Sequence, residues 1–243
     1  MPRLHYIAMS GATARLRELD ELADDLANQA TPGYRAVTYA FSTAIDEEIL
    51  GNKQAEKDAP MRQVLPVETS VVRQDGPAVR TGRPLDVRPT EGTWLSVQQA
   101  DGTVTYTRDG RMQVGVDGFL RVGHNKVLGV NAEPIAVDPG TVPFIDERGR
   151  VFAGERESGR LGLFQLPGEL QRVGPAQVLP RKGQAVTVDG TVTVGAIDGS
   201  NANGLDSTIS MISAQRSYEQ SLQALQTVQK LDDKANEIGR PRG

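Results

Sequence analysis

Apolar residues recur at alternating steps of three and four between Met9 and Ala30. This spacing puts them on one face of a helix, and its persistence over about three heptads is typical of a coiled-coil seam. The pattern stops at Thr31-Pro32-Gly33, where proline disfavours helical geometry in the preceding residue. The sequence therefore predicts an N-terminal helix that packs against another helix through Met9, Ala12, Leu16, Leu19, Ala23, Leu26 and Ala30.

Helical spacing returns after Ser200 and continues almost to the end of the chain. Gly239 and Pro241 are typical of residues that end a helix. The apolar steps are less regular than in the N-terminal helix, which predicts a stripe that drifts around the helix axis. The predicted contact residues of this C-terminal helix are Ile209, Ile212, Tyr218, Leu222, Leu225, Val228 and Leu231.

Between the two helices the pattern changes to short alternating runs separated by Gly and Pro. Asp-Gly pairs, as at Asp101-Gly102, Asp109-Gly110 and Asp117-Gly118, tolerate the positive φ of tight hairpin turns. Closely spaced short strands favour antiparallel hairpins over helical crossovers. The predicted fold class is therefore mixed α and β, with the terminal helices paired as a coiled coil and an antiparallel β-domain inserted between them.

The predicted domain organisation follows the chain in four segments. An N-terminal assembly helix covers residues 1–35, and a connecting segment with weak helical patterning covers 36–63. The antiparallel β-domain covers 64–199, and a C-terminal assembly helix covers 200–243. Spacing alone leaves open whether the two helices only close a monomer or also pack between subunits.

Composition narrows the classes of partner. The 243 residues carry a net charge of −4 and no run of Lys or Arg, so we expect no nucleic-acid partner. Cysteine is absent, which excludes disulfides and thiolate metal sites. No stretch reaches the length of a membrane span, and the N-terminus lacks the apolar region of a cleaved secretory signal.

Residues that could carry catalysis are few. His5 and His124 have no second ligand at metal spacing, and no phosphate-binding glycine loop is present. Glu91 and Asp101 could pair as glycosidase acids, although turn chemistry explains Asp101 more simply. We therefore expect no enzyme activity, no metal and no cofactor.

A rival interpretation is a secreted β-domain that binds carbohydrate or another ligand through aromatic side chains. Trp94 and Tyr106 are the candidate residues. A lone tryptophan is more often a core residue because it buries a large apolar area.

Several stretches resemble the flagellar basal-body rod protein family. The runs 83–87, 92–97 and 106–110 resemble the family's β-domain, and 199–203 with 211–219 resembles its C-terminal helix. Asp25 and Ala202 depart from the family pattern. The resemblance is greatest to the proximal rod type, with the distal rod type as the close alternative. The terminal motif residues are Leu26, Ala27, Asn28, Thr31, Pro32, Gly33, Tyr34, Arg35, Gln215 and Arg216.

The resemblance implies a structural role. Members of this family are exported from the cytoplasm without cleavage through the flagellar type III apparatus. They assemble with other rod and hook-type axial proteins into the helical shaft of the basal body, which spans the periplasm and transmits torque to the hook. By this resemblance, the terminal helices form the assembly surface.

Overall fold

The computed structural model describes residues 2–40, 43–45, 62–64, 68–138 and 140–238. Within these residues, helix α1 (Pro2–Ala27) and helix α2 (Gly204–Ile238) enclose twenty short strands in sequence. The described registers between strands are antiparallel. The predicted mixed class with terminal helices and antiparallel sheets is confirmed, and the coiled-coil pairing of the helices stays a prediction.

The strands are mostly three to five residues long, and the many turns between them match the frequent Gly and Pro of the sequence. They are β1 (Val37–Ala40), β2 (Thr43–Ile45), β3 (Arg62–Val64), β4 (Glu68–Val71), β5 (Ala78–Arg80), β6 (Val87–Pro89), β7 (Trp94–Gln98), β8 (Val104–Thr107), β9 (Met112–Val114), β10 (Leu120–Val122), β11 (Asn125–Val127), β12 (Pro143–Ile145), β13 (Arg150–Ala153), β14 (Arg156–Arg160), β15 (Leu163–Gln165), β16 (Leu170–Gly174), β17 (Gln177–Pro180), β18 (Val186–Thr187), β19 (Val192–Val194) and β20 (Ala196–Asp198).

The chain divides into two compact units. One contains Met1–Leu26, Tyr39–Thr69 and Gly204–Gly243, and the other, here called the β unit, contains Ala27–Thr38 and Ser70–Asn203. The predicted four-segment division stays a prediction. Most of the predicted connecting segment, including residues 46–61, lies outside the described residues.

Strand β7 is the centre of the largest sheet of the β unit. One edge of β7 pairs with β8, and the other is shared between β15 and β11. The turn from β7 to β8 is a hairpin at Asp101-Gly102, as predicted, with Gly102 at φ 88°. The Asp117 side chain and Gly118, at φ 76°, turn β9 back onto β10 in the same way.

The predicted hairpin at Asp109-Gly110 is wrong. Strands β8 and β9 on either side of it lie far apart in the sheet order β16-β17-β8-β7-β11-β10-β9. Gly110 instead allows a close approach between backbones, because a Cβ there would lie 1.6 Å from the Val87 carbonyl oxygen. The sequence signal was the same as at Asp101-Gly102, but the constraint on the glycine was steric rather than conformational.

Two apolar clusters form the core of the β unit. The smaller one surrounds Trp94, which is only 3% exposed and packs with Leu166 and Leu170. In the larger one, aliphatic side chains from the main sheet meet the inner face of the sheet β12-β13-β14. Its buried members are Val87, Leu95, Val97, Met112, Leu120, Val122, Val127, Ile135, Val137, Ile145, Val151, Ala153, Leu161, Leu163 and Val192.

The turn residue Asp117 has a carboxyl whose pKa lies at about 2, below its ordinary value of 3.8, chiefly because Arg121 donates hydrogen bonds to it. The Arg121 Nη2 atom lies 2.5 Å from Asp117 Oδ2. Because the folded pKa is depressed, the ionised pair adds stability above about pH 3.8, and this contribution is lost as the pH falls towards 2.

We expect Arg121→Gln to raise the pKa of the Asp117 carboxyl towards 3.8, measured by NMR titration of the folded chain. Lys126→Gln is the matched control, since the Lys126 ammonium lies 3.9 Å from the same carboxylate and makes no hydrogen bond to it within 3.5 Å. A pKa that moves equally in both variants would contradict the assignment to the Arg121 hydrogen bonds.

Candidate assembly site

The seam predicted for α1 does not coincide with the buried face of that helix. Met9 and Leu16 are 58% and 46% exposed. Ala23 and Ala30 are also exposed, whereas Leu19 and Leu26 are half-buried. Among the α1 residues whose exposure is described, which begin at Met9, the buried positions are Ala12, Ala14, Leu22 and Asp25, so this buried face is rotated from the seam by roughly a third of a turn.

Helix α2 carries apolar side chains on two opposite faces. Half-buried and buried residues follow one stripe at alternating steps of four and three: Ser207, Met211, Ala214, Tyr218, Ser221, Leu225 and Val228. At 100° per residue, Leu205, Ile209 and Ile212 project from the opposite side, and they are 69%, 60% and 49% exposed. The remaining predicted contacts, Leu222 and Leu231, are 36% and 57% exposed.

The predicted C-terminal stripe therefore combines two surfaces. Tyr218, Leu225 and Val228 belong to the half-buried face, and Ile209 and Ile212 belong to the exposed one. The motif residues Gln215 and Arg216 are exposed as well.

The motif Thr31–Arg35 lies in the β unit, where it forms a buried turn. Gly33 has φ 73°, and its N–H donates to the Asp198 carbonyl at 2.8 Å. Tyr34 is fully buried, and its hydroxyl accepts a hydrogen bond of 2.5 Å from Arg172, whose guanidinium also lies over the Tyr34 ring at 5.4 Å. A Cβ on Gly33 would lie 2.2 Å from the Asp109 backbone nitrogen, so only glycine fits this turn.

Asn201 joins this turn to the segment that leads into α2. Its Oδ1 accepts the Ala36 N–H at 2.7 Å, and its backbone N–H donates to the Tyr34 carbonyl at 3.3 Å. Its Nδ2 donates to the carbonyls of Val72 and Gln74 at 3.2 and 2.9 Å. One asparagine therefore connects three separate segments of the chain.

Three arginines and two aspartates gather beside Asn201, and we call them the exit cluster: Arg35, Arg88, Arg108, Asp75 and Asp198. Asp198 is fully buried and contacts all three arginines. Its Oδ2 lies 2.8 Å from Arg108 Nη2, and its Oδ1 lies 3.4 Å from Arg88 Nε. Asp75 lies 2.7 Å from Arg108 and 3.5 Å from Arg35.

The charges of the exit cluster do not balance, since three guanidinium groups face two carboxylates. Burial lowers the pKa of Arg35 below its ordinary value, and Asp198 is the main group that opposes this shift. Arg108 also donates to the carbonyls of Thr90 and Thr93, at 2.9 and 2.5 Å. Leaving a buried ion without its partner costs about 3–5 kcal/mol, so each of the two carboxylates has a large effect on stability.

The terminal sequence motif includes Arg35 but does not indicate which residues contact it. The stretch 106–110 contains Arg108, but the other members of the cluster were missed. Nothing in the sequence distinguishes Asp75, Arg88 or Asp198 from the others among the 27 Lys and Arg and 31 Asp and Glu residues of the chain. Their roles arise from contacts between residues up to 163 positions apart.

Three of the candidate catalytic and ligand-binding residues, Asp101, Trp94 and Tyr106, have structural explanations. Asp101 accepts the Thr103 N–H at 2.9 Å, and this bond lowers the pKa of its carboxyl, whereas a glycosidase acid needs a raised pKa. Trp94 is a core residue, and the Tyr106 ring packs 5.4 Å from that of Phe164. His124 is exposed in the turn between β10 and β11, and His5 lies in α1.

The described residues contain no group of three or more His, Cys, Asp or Glu side chains placed to hold a metal ion. No helix among them combines the length and apolar character needed to cross a membrane.

We expect Gly33→Ala to lower the free energy of unfolding of the β unit by about 3 kcal/mol or more, because the added Cβ meets backbone atoms that cannot move freely. Gly92→Ala is the matched control: it has the same φ of 73° with open space around it, and should cost only about 1 kcal/mol. Urea unfolding measures both, and equal losses would contradict the steric explanation.

Comparison with known proteins places the sequence in a family. The family described as "Flagellar basal body rod FlgEFG protein C-terminal" matches residues 193–238, which include Asp198, Asn201 and all of α2. FlgF of Escherichia coli (strain K12), named a flagellar basal-body rod protein, is 31% identical, and the alignment covers 96% of both chains.

Other relatives agree along most of the chain. FlgF of Salmonella typhimurium is 29% identical, with 96% of each chain covered. FlgG of Agrobacterium fabrum is 26% identical, with 93% of this chain and 95% of the relative covered. The chain therefore belongs to the flagellar basal-body rod protein family, within which it is most like FlgF.

Proposed function

We propose that this chain is a structural subunit of the flagellar basal-body rod and that it assembles with its neighbours through the terminal helices. Relatives that align with nearly the whole chain are named rod proteins, which supports the structural role. Those relatives give no support to the alternative of a secreted carbohydrate-binding domain. In this proposal the chain is not an enzyme and carries no cofactor.

The single observation that carries the assembly mechanism is the exposed apolar surface of both helices. Met9 and Leu16 on α1, and Leu205, Ile209 and Ile212 on α2, are each between 46% and 69% exposed. A contiguous apolar surface on a helix is typical of a binding site, because its burial against a partner is favourable. The apolar surface that the subunit leaves exposed is the surface that neighbours cover.

The two faces of α2 suit different contacts. The face with Ala214 and Leu225 is buried or half-buried within the chain, so it is already occupied to a large extent. The face with Ile209 and Ile212 remains for a second subunit. A contact between two different surfaces builds a helical shaft rather than a ring when the rotation between successive subunits does not close.

The partners in this proposal are further rod and hook-type axial proteins. FlgG relatives match along the chain, so neighbouring components of the rod would present related helices. We also propose that the flagellar type III export apparatus carries the chain from the cytoplasm to the periplasm-spanning rod. There the shaft would transmit torque to the hook.

The assembly proposal predicts that Leu16→Asp and Ile209→Asp each reduce the number of rods in purified basal bodies by roughly tenfold or more. Placing a carboxylate at a buried apolar contact removes about 1.5–3 kcal/mol of burial and adds a desolvation cost, and the loss recurs at every subunit. Electron microscopy of basal bodies and swimming assays measure the result.

Ser210→Asp is the control, since Ser210 is also exposed on α2 but is polar and lies about 100° around the helix from Ile209, and we expect rods at wild-type numbers. Circular dichroism should show a folded β unit in all three variants. Wild-type rods in both Leu16→Asp and Ile209→Asp would contradict assembly through these faces.

A further inference from the structure

Two segments of the β unit that are distant in sequence hold each other in place. They are residues 33–36, which follow α1, and residues 198–201, which precede α2. Gly33 donates its N–H to the Asp198 carbonyl, Arg35 donates to the Gly199 carbonyl at 3.2 Å, and Ala36 donates to the Asn201 side chain. The hydrogen bonds that involve a side chain join residues 163 to 165 positions apart in the sequence.

We propose that Asp198 and Asn201 form a latch that closes last as the β unit folds and that fixes the segment after α1 only when it closes. Before Asp198 arrives, the exit cluster contains three guanidinium groups and the single carboxylate of Asp75. Burying that arrangement is unfavourable because the excess positive charge has no partner. Arg35 therefore reaches its buried position only together with Asp198.

Backbone packing at the same place makes the closing step sensitive to how β20 docks. Strand β20 pairs with β5, and Gly199 donates its N–H to the Pro77 carbonyl at 2.9 Å. A Cβ on Gly76 would lie 2.0 Å from the Gly199 carbonyl oxygen. The end of β20 therefore reaches its position only when the backbone at Gly199 contacts the backbone at Gly76 and Pro77, and this contact places Asp198 in the cluster.

Asp198 is the closing residue rather than Asp75 because it is the more deeply buried and the better connected carboxylate. The Asp198 side chain is 0% exposed and lies within 3.5 Å of all three arginines. The Asp75 side chain is 12% exposed, and its contact with Arg88 is 3.9 Å. In a chain that emerges with its N-terminus first, Asp75 also appears before both Arg88 and Arg108, because it precedes them in the sequence.

The latch has a consequence for delivery, which rests on the proposed function. A chain that leaves an export channel with its N-terminus first exposes α1 and residues 33–36 long before Asn201. The segment after α1 therefore stays unfixed until residue 201 has emerged. Premature assembly of a partly delivered subunit is thereby disfavoured.

Hydrogen exchange on the full-length Asp198→Asn variant tests the latch. We expect the amides of Gly33, Ala36 and Asn201 to exchange at least about 100-fold faster than in the unmodified chain, the factor that corresponds to loss of one buried ion partner. The core amides of Leu120 and Leu128 should keep their protection. Asp117→Asn is the control, since it removes an ion pair at an exposed turn, and it should leave the Gly33, Ala36 and Asn201 amides unchanged.

Asn201→Ala provides a second test that changes no charge, and it applies even if Asp198→Asn does not fold. It should accelerate exchange at Ala36 while sparing Leu120. Pulse labelling during refolding of the unmodified chain should protect the core amides before those of Gly33 and Ala36.

The proposal would be overturned if, during refolding, the amides of Gly33 and Ala36 became protected at the same time as the core amides. It would also be overturned by uniform loss of protection across the β unit in Asn201→Ala, because the contacts would then be general stabilisers. Both measurements use the isolated chain, so their failure leaves assembly through the helices untouched. Intact assembly in Leu16→Asp and Ile209→Asp would equally leave the latch standing.

Discussion

The buried carboxylate of Asp198 is the constraint on which the position of residues 33–36 in the β unit depends. A carboxylate without solvent needs cations, and Asp198 has three arginines that come from the turn after α1, from β6 and from the residue after β8. These arginines in turn need the carboxylate, since their own burial is unfavourable without it. Segments from opposite ends of the chain are therefore brought together by charge, while the apolar clusters hold the sheets.

The terminal helices differ from the β unit in how far their apolar side chains are buried. The β unit buries its aliphatic residues internally, as Val87, Leu95 and Val127 show. Helix α2 instead keeps aliphatic side chains on a face that the chain itself leaves open. A subunit with a self-contained β unit and incompletely covered helices is suited to repeated addition, because the energy of burial becomes available only when a neighbour arrives.

The sequence predicted the helices and turns better than it predicted which of their side chains are buried and what those side chains contact. Both terminal helices and the hairpin at Asp101-Gly102 follow from local periodicity and turn chemistry, and the core position of Trp94 follows from the large apolar area of its side chain. The face of each helix that is buried could not be predicted, because Leu22 and Leu16 are equally apolar and only tertiary contacts distinguish them. The partners of Arg35 could not be predicted either, because two residues 163 positions apart leave no local pattern in the sequence.

The position of Asn201 has a mechanical consequence. The chain passes between its two compact units next to residues 27, 38, 70 and 203. Asn201 lies two residues from the last crossing and hydrogen-bonds to Ala36 and Val72, each two residues from another. A pull on the chain near residue 36, 72 or 201 is therefore shared by the other two segments, because their hydrogen bonds meet at one amide side chain.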